Sequence, residues 1–172
     1  MSSSSIATVA AASTTSLTRN QKRGFIAAWG GWALDGMDAS IYALVLAPAL
    51  TDLLPRSGIA VSQGTVGYYG SILQALFLLG WGLSMIWGPI SDRIGRVRAL
   101  ILTILCYSVF TFMCGLVNNI WQLAILRVFV GLGIGGEQPV GTAYLAEELS
   151  EGQRKIGAGL MHTGYYFGFF FA

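Results

Sequence analysis

The chain has 172 residues, 54% hydrophobic and only 10% charged, with ten Lys and Arg against eight Asp and Glu for a net charge of +2. Soluble domains carry roughly 25% charged residues, so the composition excludes an ordinary soluble domain and indicates a membrane protein in contact with lipid. The small net charge is spread along short connectors instead of one face, which argues against nucleic acid as a partner.

The opening MSSSSIATVAAASTTSLTRNQKR is rich in Ser, Thr and Ala, and its positive charges follow the weakly apolar part instead of preceding it. That order does not fit a secretory signal; residues 1–24 read as a flexible cytosolic tail, with a cleaved organelle peptide as the alternative. Apolar runs predict four complete spans, 25–50, 66–89, 99–117 and 120–145, each reaching the ~20 residues that a hydrocarbon core of about 30 Å requires. A fifth, 156–172, runs through GYYFGFFFA and stops without a charged exit. The expected fold is therefore an all-α membrane protein over residues 25–172, with four complete transmembrane helices and an incomplete fifth. It reads as part of a longer protein.

The first span contains WGGWALDGMDASIY, which sets Asp35 and Asp38 within an apolar run. Three residues apart, the two acids share a helix face, and each is costly in lipid if ionised and unpaired. Neighbouring carboxylates need not both ionise, which makes them candidates for a proton site that responds to its surroundings. Buried acids that are merely hydrogen-bonded for packing are the plainer alternative. Tyr42 lies on the Asp35 face.

Between the second and third spans, GPISDRIGRVR packs a Gly-Pro expected to end the helix, an acid and three arginines into a short turn. Gly88 is expected to let backbones approach, Gly95 to relieve a tight turn, and Asp92 to accept hydrogen bonds from an arginine or from helix-terminal amides. Any short cytoplasmic loop collects arginines, but that does not account for the glycine and acid positions. The stretch resembles the signature between helices 2 and 3 of the major facilitator superfamily of secondary transporters. It differs in having Val97 between Arg96 and Arg98 where the family has adjacent basic residues. The resemblance implies two six-helix bundles around a central cavity, of which residues 25–172 supply most of the first and the C-terminal half is missing.

The tail, the second connector and the fourth connector carry eight of the ten basic residues, while the opposite connectors carry only Arg56. That bias favours a cytosolic N-terminus, and the expected location is the cell (inner) membrane, as a multi-pass protein. Cys106 and Cys114 lack metal or redox spacing and read as packing residues.

The fourth span holds the tenth base, Arg127, within RVFVGLGIGG. At a helix centre an arginine costs about 2.5–3.5 kcal/mol on the insertion scale, so it needs a partner or water. Gln138 follows eleven residues later, about 20° away around the helix, so both are expected to face one cavity. Glu137 falls off that face, roughly 25 Å along the helix from Ile120; contact with substrate and a place in a latch are both open. The glycines permit close helix crossing, either as a static groove or as a moving one, and Pro139 predicts a kink.

RVFVGLGIGG also resembles the family's helix 4 motif, and YLAEELSEGQR resembles the end of that helix in sugar-porter-like members, with Tyr144, Glu147 and Arg154 in place and Lys155 where glycine is usual. DGMDASIYALVLAPAL resembles helix 1 of the aromatic-acid and related metabolite to proton symporters, whereas GGEQPV is closer to other organic-anion and sugar-porter-like members. These resemblances imply proton-coupled symport of a small organic acid by alternating access, with no cofactor or metal. Asp35, Asp38 and Arg127 are the proton-coupling candidates, and an Asp38–Arg127 pair broken by protonation is expected. Tyr42, Arg127, Gln138 and Glu137 are the substrate-binding candidates. Gly88, Asp92, Arg93, Gly95, Arg96, Glu147 and Arg154 form the expected cytoplasmic latch, with Asp92 and Arg93 or Arg96 meeting Glu147. His162 reads as a packing residue or a group titrating near neutrality. The rivals are a proton-independent facilitator and a non-transporting membrane fragment. An intramembrane enzyme is disfavoured, since no nucleophile and base pair is visible.

Overall fold

A computed structural model describes residues 17–172, which are almost wholly helical. Six α-helices follow one another: α1 (Arg19–Arg56), α2 (Gln63–Leu83), α3 (Trp87–Ile94), α4 (Arg96–Cys114), α5 (Ile120–Glu148) and α6 (Glu151–Phe171), with a 3-10 turn Ser84–Ile86 joining α2 to α3. Among the described residues, four helical stretches are long and apolar enough to cross a membrane: α1, α2 continued through α3, α4 and α5. The chain folds as a multi-pass membrane protein.

Local chemistry sets the boundaries. Thr18 closes a capping box with Gln21, so α1 begins at Arg19. The expected tail of 1–24 thus gives way to helix at residue 19, and residues 1–16 lie outside the described residues. Capping boxes also start α2 (Ser62 with Thr65) and α6 (Ser150 with Gln153). The uncharged pair Asn118–Asn119 makes the next turn, where the Asn119 side chain accepts from the Gln122 amide at 3.0 Å.

The Gly-Pro of the second connector does not end its helix. The chain tightens into the 3-10 turn before it, and Pro89 then sits in the first turn of α3, where a missing N–H is tolerated. The span therefore runs on to Ile94. The reversal comes at Gly95, whose φ of 92° is a backbone region that residues with a Cβ rarely adopt. Gly88 departs from expectation, for nothing lies within reach of a side chain placed there.

α5 is the central helix and packs most heavily against α2 and α4, while α1 packs most heavily against α6. Two of these crossings are set by glycine on both partners. A Cβ on Gly36 of α1 would strike the Tyr165 carbonyl of α6, and one on Gly168 of α6 would strike the Ala33 carbonyl. Likewise, a Cβ on Gly131 of α5 would strike the Phe77 carbonyl of α2, and one on Gly80 of α2 the Val128 carbonyl. Such backbone-to-backbone approach is how helices associate in lipid, where burial of apolar surface gives no advantage. Pro139 lies inside α5, which stays helical through it.

Two apolar clusters close the ends of the bundle. Leu50, Leu54, Leu73 and Ile120 form one; Ala28, Trp32, Leu145 and Met161 form the other. Large side chains such as Leu44, Leu79, Ile101, Phe112 and Ile125 point outward, the surface a bilayer would cover.

Candidate transport site

Between the two clusters lies a cavity of about 1000 Å³, walled by α1, α2, α5 and Tyr165 of α6. α1 contributes Trp32, Asp35, Asp38 and Tyr42; α2 contributes Gln74, Phe77 and Trp81; α5 contributes Arg127 and Gln138. Helical spacing explains the α1 set, since positions 35, 38 and 42 fall on one face. The same spacing brings Arg127 and Gln138 to one wall.

Arg127 is 5% exposed. Its guanidinium lies over the Tyr42 ring, with Cζ 3.6 Å from the centroid, and 4.5 Å from that of Phe77. Two aromatic faces thus shelter the charge, an attraction worth about 0.5–2 kcal/mol. Asp38 is within electrostatic reach of Arg127, yet the two form no ion pair among the described residues. The expected pair is therefore replaced by stacking on Tyr42, leaving the buried Arg127 Nε without a hydrogen bond. Trp32 Nε1, Asp35 Oδ1 and the Tyr42 hydroxyl are also buried without partners among the described residues. The cavity wall holds donors, acceptors and a cation with capacity to spare, and its remaining surface is mainly apolar and aromatic.

Glu137 does not line the cavity and takes no part in the latch. It is 1% exposed, and its carboxyl fills the space left by the missing side chain of Gly31 on α1. Sequence periodicity places it off the Arg127 face, but the glycine that receives it is on another helix. Gln74, Phe77 and Trp81 were likewise not singled out from the sequence; the lone amide of Gln74 in the apolar run SILQALFLL was the available signal.

At the end of the bundle where α1 begins, Arg96 joins two of the other latch candidates, Asp92 and Glu147. It pairs with Asp92 at 2.8 Å and with Glu147 at 3.1 Å, and it donates to Ser91 Oγ. The end of α3, the start of α4 and the end of α5 are thereby tied by one guanidinium. Arg93 forms no ion pair among the described residues. Arg154 donates to the Ala146 carbonyl instead of meeting Glu147, because α6 turns back beside the last turn of α5. Gln21 adds a contact from α1 to the Glu148 carbonyl.

His162, the two cysteines and Trp29 have packing places. His162 sets its ring at a T-shaped angle to Trp32, with centroids 4.7 Å apart. Cys106 and Cys114 are free and partly buried. Trp29 donates to Thr163 Oγ1 at 3.2 Å, away from the cavity.

The Major Facilitator Superfamily profile matches residues 28–172. A probable 4-methylmuconolactone transporter of Cupriavidus pinatubonensis is 35% identical over 149 residues, covering 86% of this chain and 32% of that protein. A putative metabolite transport protein of Haemophilus influenzae is 32% identical over 80% of this chain and 32% of its own length. A multidrug resistance protein of Escherichia coli is 31% identical over 84% of this chain and 34% of its own. The chain spans about a third of the length of the curated relatives it matches. With the membrane helices, the Gly95 turn and the Arg96 cluster accompanying a match that covers most of its length, the chain belongs to the Major Facilitator Superfamily.

Proposed function

We propose that this chain forms part of a secondary transporter that carries a small organic acid together with a proton, by alternating access, across the cell's inner membrane. The observation that carries the proposal is Arg127: a buried guanidinium, facing a largely apolar cavity, stacked on Tyr42 and opposite two acids with which it forms no ion pair. An arginine held this way can take a substrate carboxylate in a bidentate hydrogen bond. Tyr42, Phe77, Trp81 and Tyr165 offer faces for an unsaturated or aromatic ring, and Gln138 offers an amide. The muconolactone named for one relative is a compact acid of that kind.

Asp38 supplies the coupling in this scheme. Ionised, it holds Arg127 electrostatically; protonated, it releases Arg127 to the anion, with Asp35 one turn away as relay. The basic residues at the end where α1 begins favour a cytosolic N-terminus. At that end the Arg96 cluster acts as the latch of the conformation open on the other side.

Uptake into proteoliposomes containing the full-length protein tests the scheme. Accumulation of a small aromatic or lactone acid should follow an inward proton gradient and collapse with an uncoupler. Asp38→Asn should abolish accumulation while sparing substrate exchange. Accumulation unaffected by the uncoupler, or by that substitution, would overturn proton coupling; uptake of neutral sugars instead would favour the facilitator.

A further inference from the structure

Outside the cavity, α1, α4 and α5 enclose a second polar group. Glu137 is 1% exposed, and neither of its carboxyl oxygens has a hydrogen-bond partner among the described residues. Its carboxyl occupies the notch made by Gly31, so a methyl group at that position would collide with Oε1. One turn along the same face of α1 stands Asp35, within electrostatic reach of Glu137 and with a buried, unpartnered Oδ1 of its own. From α4, the buried Tyr107 hydroxyl, which has Ser108 as a neighbour, also senses both acids, with Asp38 beyond them. On α5 itself, Arg127 is engaged with Tyr42 and Glu147 with Arg96, so no cation pairs with Glu137 among the described residues.

A carboxylate ion in such a place would lack both water and a counter-charge, the combination that membrane interiors penalise most. A multivalent cation has too few ligands, for the described residues contain no group of three or more His, Cys, Asp or Glu suited to a metal. A proton is the cation that this geometry accommodates. It would sit on one oxygen of Glu137, with Asp35, within electrostatic reach, bordering the cavity.

We propose that Glu137 is a second proton-binding site, lodged in the Gly31 notch and connected through Asp35 to the cavity. Protonated, Glu137 lets α1 close on α5. To release its proton to water the carboxyl must leave the notch, so deprotonation is tied to separation of the two helices. Glu137 is then neither a substrate ligand nor a latch residue, but the group through which proton loading governs the α1–α5 contact. This rests on the proton-coupled carrier proposed above, and deepens it by giving the proton a second station.

Dicyclohexylcarbodiimide adds to protonated carboxyl groups in apolar surroundings, and peptide mass spectrometry locates the adduct. In membrane vesicles bearing the full-length protein, Glu137 should be modified at neutral pH and protected as the medium is made alkaline. A protonated-carboxyl infrared band should be lost in Glu137→Gln and shifted in Gly31→Ala, which expels the carboxyl from its notch. Absence of a band difference between wild type and Glu137→Gln overturns the site, as does protection by sodium at constant pH. Labelling without proton-driven uptake supports the site and overturns the carrier scheme; proton-driven uptake with neither adduct nor band does the reverse.

Discussion

Arg127 is the residue on which the cavity turns, and its planarity matters as much as its charge. A lysine keeps the charge but neither stacks flat on Tyr42 nor presents two parallel donors. Arg127→Lys is therefore expected to preserve folding and weaken binding of a carboxylate substrate about tenfold, or ~1.4 kcal/mol, in an equilibrium binding assay; unchanged affinity would show that the guanidinium does not meet the substrate. Polar residues inside apolar runs were legible in advance: Asp35, Asp38, Arg127 and Gln138 all reach the cavity wall. What they do there was less legible. The family resemblance implied that Arg127 would pair with Asp38, but the aromatic rings of α1 and α2 compete for the guanidinium, and only the tertiary crossing brings them within 3.6 and 4.5 Å of it. Glu137 was harder still, since its partner is the absence of a side chain on a helix about a hundred residues away.

At the scale of elements, the helices were visible as apolar runs, but their ends followed capping chemistry that hydropathy does not register. Thr18 with Gln21 pulls α1 back to Arg19, and the 3-10 turn carries the second span through Pro89 to Ile94. The Arg96 cluster joins three elements, yet its ion pairs are partly exposed, with the Asp92 and Glu147 side chains 63% and 56% accessible. Pairs of this kind contribute about 0–1 kcal/mol each. Glu147→Gln should therefore shift the conformational balance only modestly, whereas Arg96→Ala, which removes both pairs and the Ser91 contact, should shift it more. Cysteine accessibility on the two membrane faces measures the difference, and equal effects would show that the cluster is not one unit. The helix crossings are less forgiving. Gly131→Ala drives a methyl group into the Phe77 backbone, an overpacking expected to cost about 1–3 kcal/mol, while Gly82→Ala meets nothing within 4 Å. Thermal unfolding of the two variants in detergent should show a lowered midpoint for the first and an unchanged or slightly raised one for the second.

For the whole molecule, apolar character and basic connectors disclosed a multi-pass bundle, whereas the choice of helix neighbours came from small residues placed in register. The order of contacts in one glycine crossing repeats in the other. Ala33 and Gly36 of α1 face Gly168 and Tyr165 of α6, just as Val128 and Gly131 of α5 face Gly80 and Phe77 of α2. The same three-residue step appears on all four helices. The bundle therefore contains one joint built twice, the internal repetition common in transporters of this architecture. Superimposing the two joints sets Trp32 against Arg127 and His162 against Gln74, so a common frame carries different chemistry on each copy. Duplicated in this way, the joint holds both sides of the cavity by backbone contacts of matched geometry, so a side chain added to any one of its four glycines would part the helices at the equivalent place.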